Sequence, residues 1–92
     1  MNLNFPDRVP VIIESRDPGG KFLKYMVPRD RTFATMMIQL RKHVDITSKQ
    51  AIFLFVNGCL PPNSKTIGEI YDNHKNENNV LHIYYALENT FG

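Results

Sequence analysis

The chain has 92 residues, 42% of them hydrophobic and 22% charged, with a formal net charge of +2. That length makes one domain around one core, and so small a charge argues against a nucleic-acid surface, which needs a basic stripe. No apolar run nears the roughly 20 residues of a membrane-spanning helix, no signal peptide opens the chain, and the single cysteine, Cys59, excludes an internal disulfide and fits a reducing cytoplasm.

Residues 1–7 read as a short polar lead-in. Val9-Pro10-Val11-Ile12-Ile13 is rich in strand formers, although Pro10 cannot donate to a ladder on its own N–H side. Asp17-Pro18-Gly19-Gly20 is a turn by composition, and Phe22 to Val27 is a second strand halted by Pro28. Two strands about a Pro-Gly turn predict an antiparallel hairpin. Thr32 is placed to cap a helix on which Phe33, Met36, Met37, Leu40 and Val44 share one face. Arg41, Lys42 and His43 fall in its last turn, where positive charge complements the helix dipole.

Ala51 to Val56 is apolar without alternation, as a strand covered on both faces would be. Asn57-Gly58 ends it, and Pro61-Pro62 bars regular structure beyond. Thr66-Ile67-Gly68-Glu69 matches a capping box, and Ile67, Ile70 and Tyr71 give a short helix, weakened by Gly68. Asn76 to Asn79 is a loop, Val80 to Ala86 a last strand, and 87–92 a flexible polar tail. A helix crossing between strands after a hairpin predicts an α+β fold, a β-grasp with a mixed four-stranded sheet, one long helix and one short helix.

The residue chemistry argues against an enzyme. His43, His74 and His82 are scattered, and one cysteine cannot complete a structural zinc site. Cys59 has no base nearby in sequence to activate it, and reads as a small, partly buried loop thiol. The carboxylates lie on different elements in no paired motif, and Gly19-Gly20 lacks the lysine and following helix of a phosphate loop. No cofactor is expected. Binding is the better expectation: Lys24 to Val27 belongs to a strand that a hairpin can leave at a sheet edge, where an extended peptide finds open N–H and C=O groups. The chain also stops at Gly92, whose carboxylate has no Cβ beside it and can thread a narrow enzyme channel as an acyl donor.

Several blocks resemble the autophagy ubiquitin-like modifiers, the family that includes GABARAP. They are Phe5-Pro6-Asp7-Arg8-Val9-Pro10-Val11-Ile12, Lys24 to Pro28, Ile38 to Lys42, Ala51 to Asn57 with Leu60-Pro61-Pro62, Ile70-Tyr71 with His74-Lys75, and the Phe91-Gly92 end. The resemblance runs from Phe5 to Gly92 and implies a ubiquitin-like β-grasp whose Gly92 is joined to phosphatidylethanolamine on autophagosomal membranes. Phe91 would be read together with that glycine by the processing machinery. Implied partners are activating and conjugating enzymes, a deconjugating cysteine protease, and cargo receptors carrying aromatic-x-x-aliphatic motifs. The membrane would be reached only through the covalent lipid, the protein being otherwise cytoplasmic.

Carried over residue by residue, a first motif pocket uses Pro10, Ile12, Lys24, Met26 and Val80, and a second uses Tyr25, Val27, Pro28 and Met36. Arg8 and Lys24 would meet an acidic flank. Arg31 and Gln39 stand where the family usually has aliphatic residues, which implies a more polar second pocket. Val80 stands in place of a frequent aromatic. The family's two N-terminal helices are almost absent, with only Met1 to Asn4 ahead of the first strand. Two alternatives remain from the sequence: a modifier attached to a protein lysine, and an unconjugated peptide-binding adaptor.

Overall fold

A computed structural model describes residues 7–44, 46 and 49–89. In chain order the elements are β1 (Arg8–Ser15), β2 (Phe22–Pro28), α1 (Phe33–His43), β3 (Gln50–Phe55), α2 (Ile67–His74) and β4 (Leu81–Asn89). They form one four-stranded sheet in the order β2-β1-β4-β3. β1 runs antiparallel to β2 and parallel to β4, while β3 runs antiparallel to β4. This is the mixed sheet with a long and a short helix that the sequence predicts.

Alternation decides which residues enter the core. Val9, Val11 and Ile13 of β1, Leu81, Ile83 and Tyr85 of β4, and Ile52 and Leu54 of β3 are buried on the face that carries the helices. Phe33, Met36 and Leu40 meet them from α1, Val44 from just past its end, and Ile67 and Ile70 from α2. Each such aliphatic or aromatic side chain contributes about 1.5–3 kcal/mol by leaving water. The opposite sheet face is open and keeps large apolar groups in solvent, Phe22 at 53% exposure and Tyr84 at 40%.

Pro10 sits in a central strand without cost to the ladder. The Ser15 N–H bonds to Lys21 on the β2 side and the Arg16 N–H bonds to Tyr85 on the β4 side. Alternation therefore turns the Pro10 nitrogen toward β4, one residue before that pairing starts at Val11 opposite Leu81. The hairpin turn is closed by Gly20 N–H to the Asp17 carbonyl at 3.2 Å.

Each helix N-terminus is held by the connection that leads into the other helix. The Phe33 and Ala34 N–H groups bond to the carbonyls of Lys65 and Asn63, while those of Ile67 and Gly68 bond to Arg31 and Arg29. Thr32 and Thr66 add their hydroxyls as caps to the Thr35 and Glu69 N–H groups.

Two elements differ from the sequence reading. β3 is an edge strand covered on one face, not both; Phe53 and Phe55 turn to the open face and are only partly covered, with the Arg16 guanidinium 4.9 Å above the Phe55 ring. β4 continues to Asn89 because Leu87 and Glu88 pair with Ile52 and Ala51. Residues 87–89 thus belong to the sheet rather than to a free tail.

Candidate functional site

β2 is the outer strand on its side of the sheet. Arg29 N–H bonds to Asp7 and Ser15 N–H to Lys21 across the hairpin, so odd-numbered β2 residues turn their backbone groups to β1. Even-numbered ones, Phe22, Lys24 and Met26, turn theirs outward. The Arg8 guanidinium reaches this edge and donates to the Met26 carbonyl at 3.4 Å, a long and weak bond.

Side chains from this edge shape a cavity on each sheet face. On the open face, Pro10, Ile12, Lys24, Met26 and Val80 line a shallow cavity of about 370 Å³. Val80 is held at its rim because the Asn76 carboxamide oxygen accepts the Val80 N–H at 3.1 Å and that of Asn78 at 2.8 Å. On the helix face a cavity of about 400 Å³ lies between β2 and α1. Tyr25, Val27, Met36 and Leu40 form its apolar walls, and Arg31, Gln39, Lys42 and His43 its polar rim. Burial raises the Tyr25 phenol above its ordinary pKa.

The structure therefore brings together each of the five residues of the first expected pocket. Of the second group it brings together Tyr25, Val27 and Met36, with Arg31 and Gln39 beside them. Pro28 lines neither cavity and ends β2 by offering its carbonyl to the Arg31 N–H at 3.2 Å. Lys42 and His43 were missed as lining residues, although the signal was present. Met36, Gln39 and His43 recur at helical spacing on the flank of α1 facing β2, and the His43 ring lies 5.9 Å from that of Tyr25. Gly92 and Phe91 lie outside the described residues.

The other candidate groups have structural surroundings. Cys59 is exposed, not partly buried. Asn57 and Gly58 both take positive φ, 51° and 80°, in a two-residue turn between Val56 and Cys59. His74 accepts from the Asn57 amide at 3.0 Å, and His82 lies 3.0 Å from Glu14 while stacking on Tyr84. Among the described residues no three metal-ligating side chains cluster.

The arrangement suits an extended peptide. A chain laid along β2 sends alternate side chains to opposite faces. Two residues an odd number of positions apart, three included, can therefore enter the two cavities at once.

Comparison with known proteins agrees with this fold. A profile of the family described as "Autophagy protein Atg8 ubiquitin like" matches residues 1–92. Autophagy-related protein 8 of Candida albicans is 45% identical, over 96% of this chain and 68% of its own length. Autophagy-related protein 8e of Arabidopsis thaliana is 38% identical, over 96% of this chain and 75% of its own. Among solved structures, Trypanosoma brucei ATG8 superimposes with a TM-score of 0.82 at 33% identity, covering 97% of this chain and 80% of that one. Plasmodium falciparum Atg8, solved with an Atg3 peptide, shares the fold with a TM-score of 0.78 at 23% identity, covering 89% of this chain and 77% of that one. A family profile matched from end to end, on a sheet and helices of the same arrangement, makes this chain a member of the Atg8 family of ubiquitin-like autophagy proteins.

Proposed function

We propose that this protein is an autophagy modifier joined through Gly92 to phosphatidylethanolamine, and that the β2 edge docks receptor peptides of the aromatic-x-x-aliphatic kind. The observation carrying the docking half is the pair of cavities on opposite faces of one edge strand. Family membership supports the conjugation half.

In this reading the chain has no catalytic residue of its own. An activating enzyme adenylates the Gly92 carboxylate with ATP and releases pyrophosphate. An enzyme cysteine then displaces AMP to give a thioester, which passes to the cysteine of a conjugating enzyme. The lipid amine attacks the thioester carbonyl, the thiolate leaves, and an amide remains. A deconjugating cysteine protease hydrolyses that amide. The protein is cytoplasmic until the acyl chains of the lipid, at about 0.8 kcal/mol per buried CH₂, hold it on the autophagosome.

Replacing Gly92 with Ala is expected to abolish the lipid-linked form in cells, read by gel shift and mass spectrometry. A lysine isopeptide remnant in place of a lipid headgroup would move the protein to a protein-conjugating branch. The docking edge has its own test. The Lys24 N–H faces outward, so Lys24→Pro removes a docking donor while sparing the ladder to β1. An aromatic-x-x-Leu peptide should bind this variant at least about tenfold more weakly, the loss of one or more edge hydrogen bonds. Unchanged affinity would move the peptide off β2.

A further inference from the structure

Resting on that reading of the β2 edge, we infer that the helix-face cavity takes a carboxylate-bearing side chain, glutamate above all, where a plain aliphatic anchor would otherwise sit. The cavity is amphipathic in the sense a glutamate needs. Tyr25, Val27, Met36 and Leu40 give its floor and walls to a hydrocarbon stem, while Arg31, Lys42 and His43 stand at the rim with the Gln39 amide. No acidic side chain lines it among the described residues.

Arg31 is built into place. Its N–H bonds to the Pro28 carbonyl at 3.2 Å and its carbonyl accepts the Ile67 N–H at 2.8 Å. The residue is thus fixed between the end of β2 and the start of α2. Nearby Arg29 is paired with Asp72, whereas Arg31 and Lys42 form no ion pair with any described residue. The C-terminal end of α1 carries about half a negative charge; Lys42 and Arg31 outweigh it at the rim.

A leucine seated here would leave the charge of these rim cations to water alone. A glutamate would exchange water for charge-assisted hydrogen bonds, bidentate where Arg31 presents its fork. The open-face cavity differs, having Lys24 as its one charged lining residue and an apolar remainder. The two cavities together would fix peptide direction, aromatic to the open face and acid to the helix face.

The test uses three peptides with a common aromatic anchor and Leu, Glu or Gln three positions after it, titrated calorimetrically at low and high salt. The Glu peptide should bind about fivefold tighter than the Leu peptide at low salt. That advantage should shrink at high salt and disappear in Lys42→Gln combined with Arg31→Gln. Lys42→Gln alone, at an exposed helix position, should remove part of it without disturbing the fold. A Leu peptide that matches or exceeds the Glu peptide overturns the inference and leaves the docking edge standing, as does a Gln peptide equal to Glu. Failure of all three to bind overturns the docking edge itself and takes the inference with it.

Discussion

Tyr85 joins two parts of the molecule that are distant in sequence. Its ring is 2% exposed in the core, and its hydroxyl accepts the Lys21 N–H at 2.9 Å at the foot of the hairpin. Tyr85→Phe keeps the ring and removes the acceptor, leaving a part-buried donor with only water to replace it. Chemical denaturation should show a loss of about 1–2 kcal/mol. Alternation with Leu81 and Ile83 marks Tyr85 as the inward tyrosine, but no local pattern shows that its hydroxyl is satisfied, because that depends on where the hairpin returns. The caps were legible, since Thr32 and Thr66 act through neighbours three residues away. Lys24, Met26 and Val80 were legible as one cluster only through the family resemblance: β1 brings β2 and the start of β4 together, and no local period encodes that.

Among the elements, α2 shows where local rules mislead. Gly68 reads as a weakness, and alanine would gain about 1 kcal/mol of helix propensity. A Cβ there, however, would stand 3.1 Å from the Arg29 carbonyl and 3.0 Å from the Arg29 Cβ. That backbone cannot easily yield: Arg29 N–H bonds to Asp7, its carbonyl accepts from Gly68 itself, and its side chain is tied to Asp72. Gly68→Ala should therefore lower the melting temperature despite the better propensity. An unchanged or raised value would mean that Arg29 gives way.

The first turn of α2 also makes a pH prediction. Hydrogen bonds from Lys65 and then from Thr66 lower the Glu69 pKa below its ordinary 4.5. A carboxyl lowered on folding contributes stability that is complete above the ordinary value and lost as pH falls through the lower folded one. The stability gap between the protein and Glu69→Gln should accordingly be constant near neutrality and close in acid. β3 shows the opposite kind of misreading. Its unbroken apolar run resembles a doubly covered strand, but Phe53 and Phe55 occupy an open face, where an aromatic ring can lie half covered beneath a cation such as Arg16.

At the scale of the whole molecule, element types and the helix faces follow from periodicity, but the strand order does not. The pairing of β1 with β4 joins residues some seventy positions apart in register and depends on both helices lying over the same face. The same topology separates the open-face cavity from the C-terminal end of β4. The open-face cavity meets Val80 just before β4, and β4 is described to Asn89, about 25–30 Å away at the rise of an extended strand. A protein held by its C-terminal end would present the cavity on the far side from its anchor. The parallel pairing of β1 and β4 also has a mechanical consequence. Tension between the start of β1 and the end of β4 runs lengthwise along that ladder, so its cross-strand bonds share the pull and must fail together. An antiparallel hairpin pulled from its open end unzips one rung at a time; these two strands resist as a lap joint does, in shear.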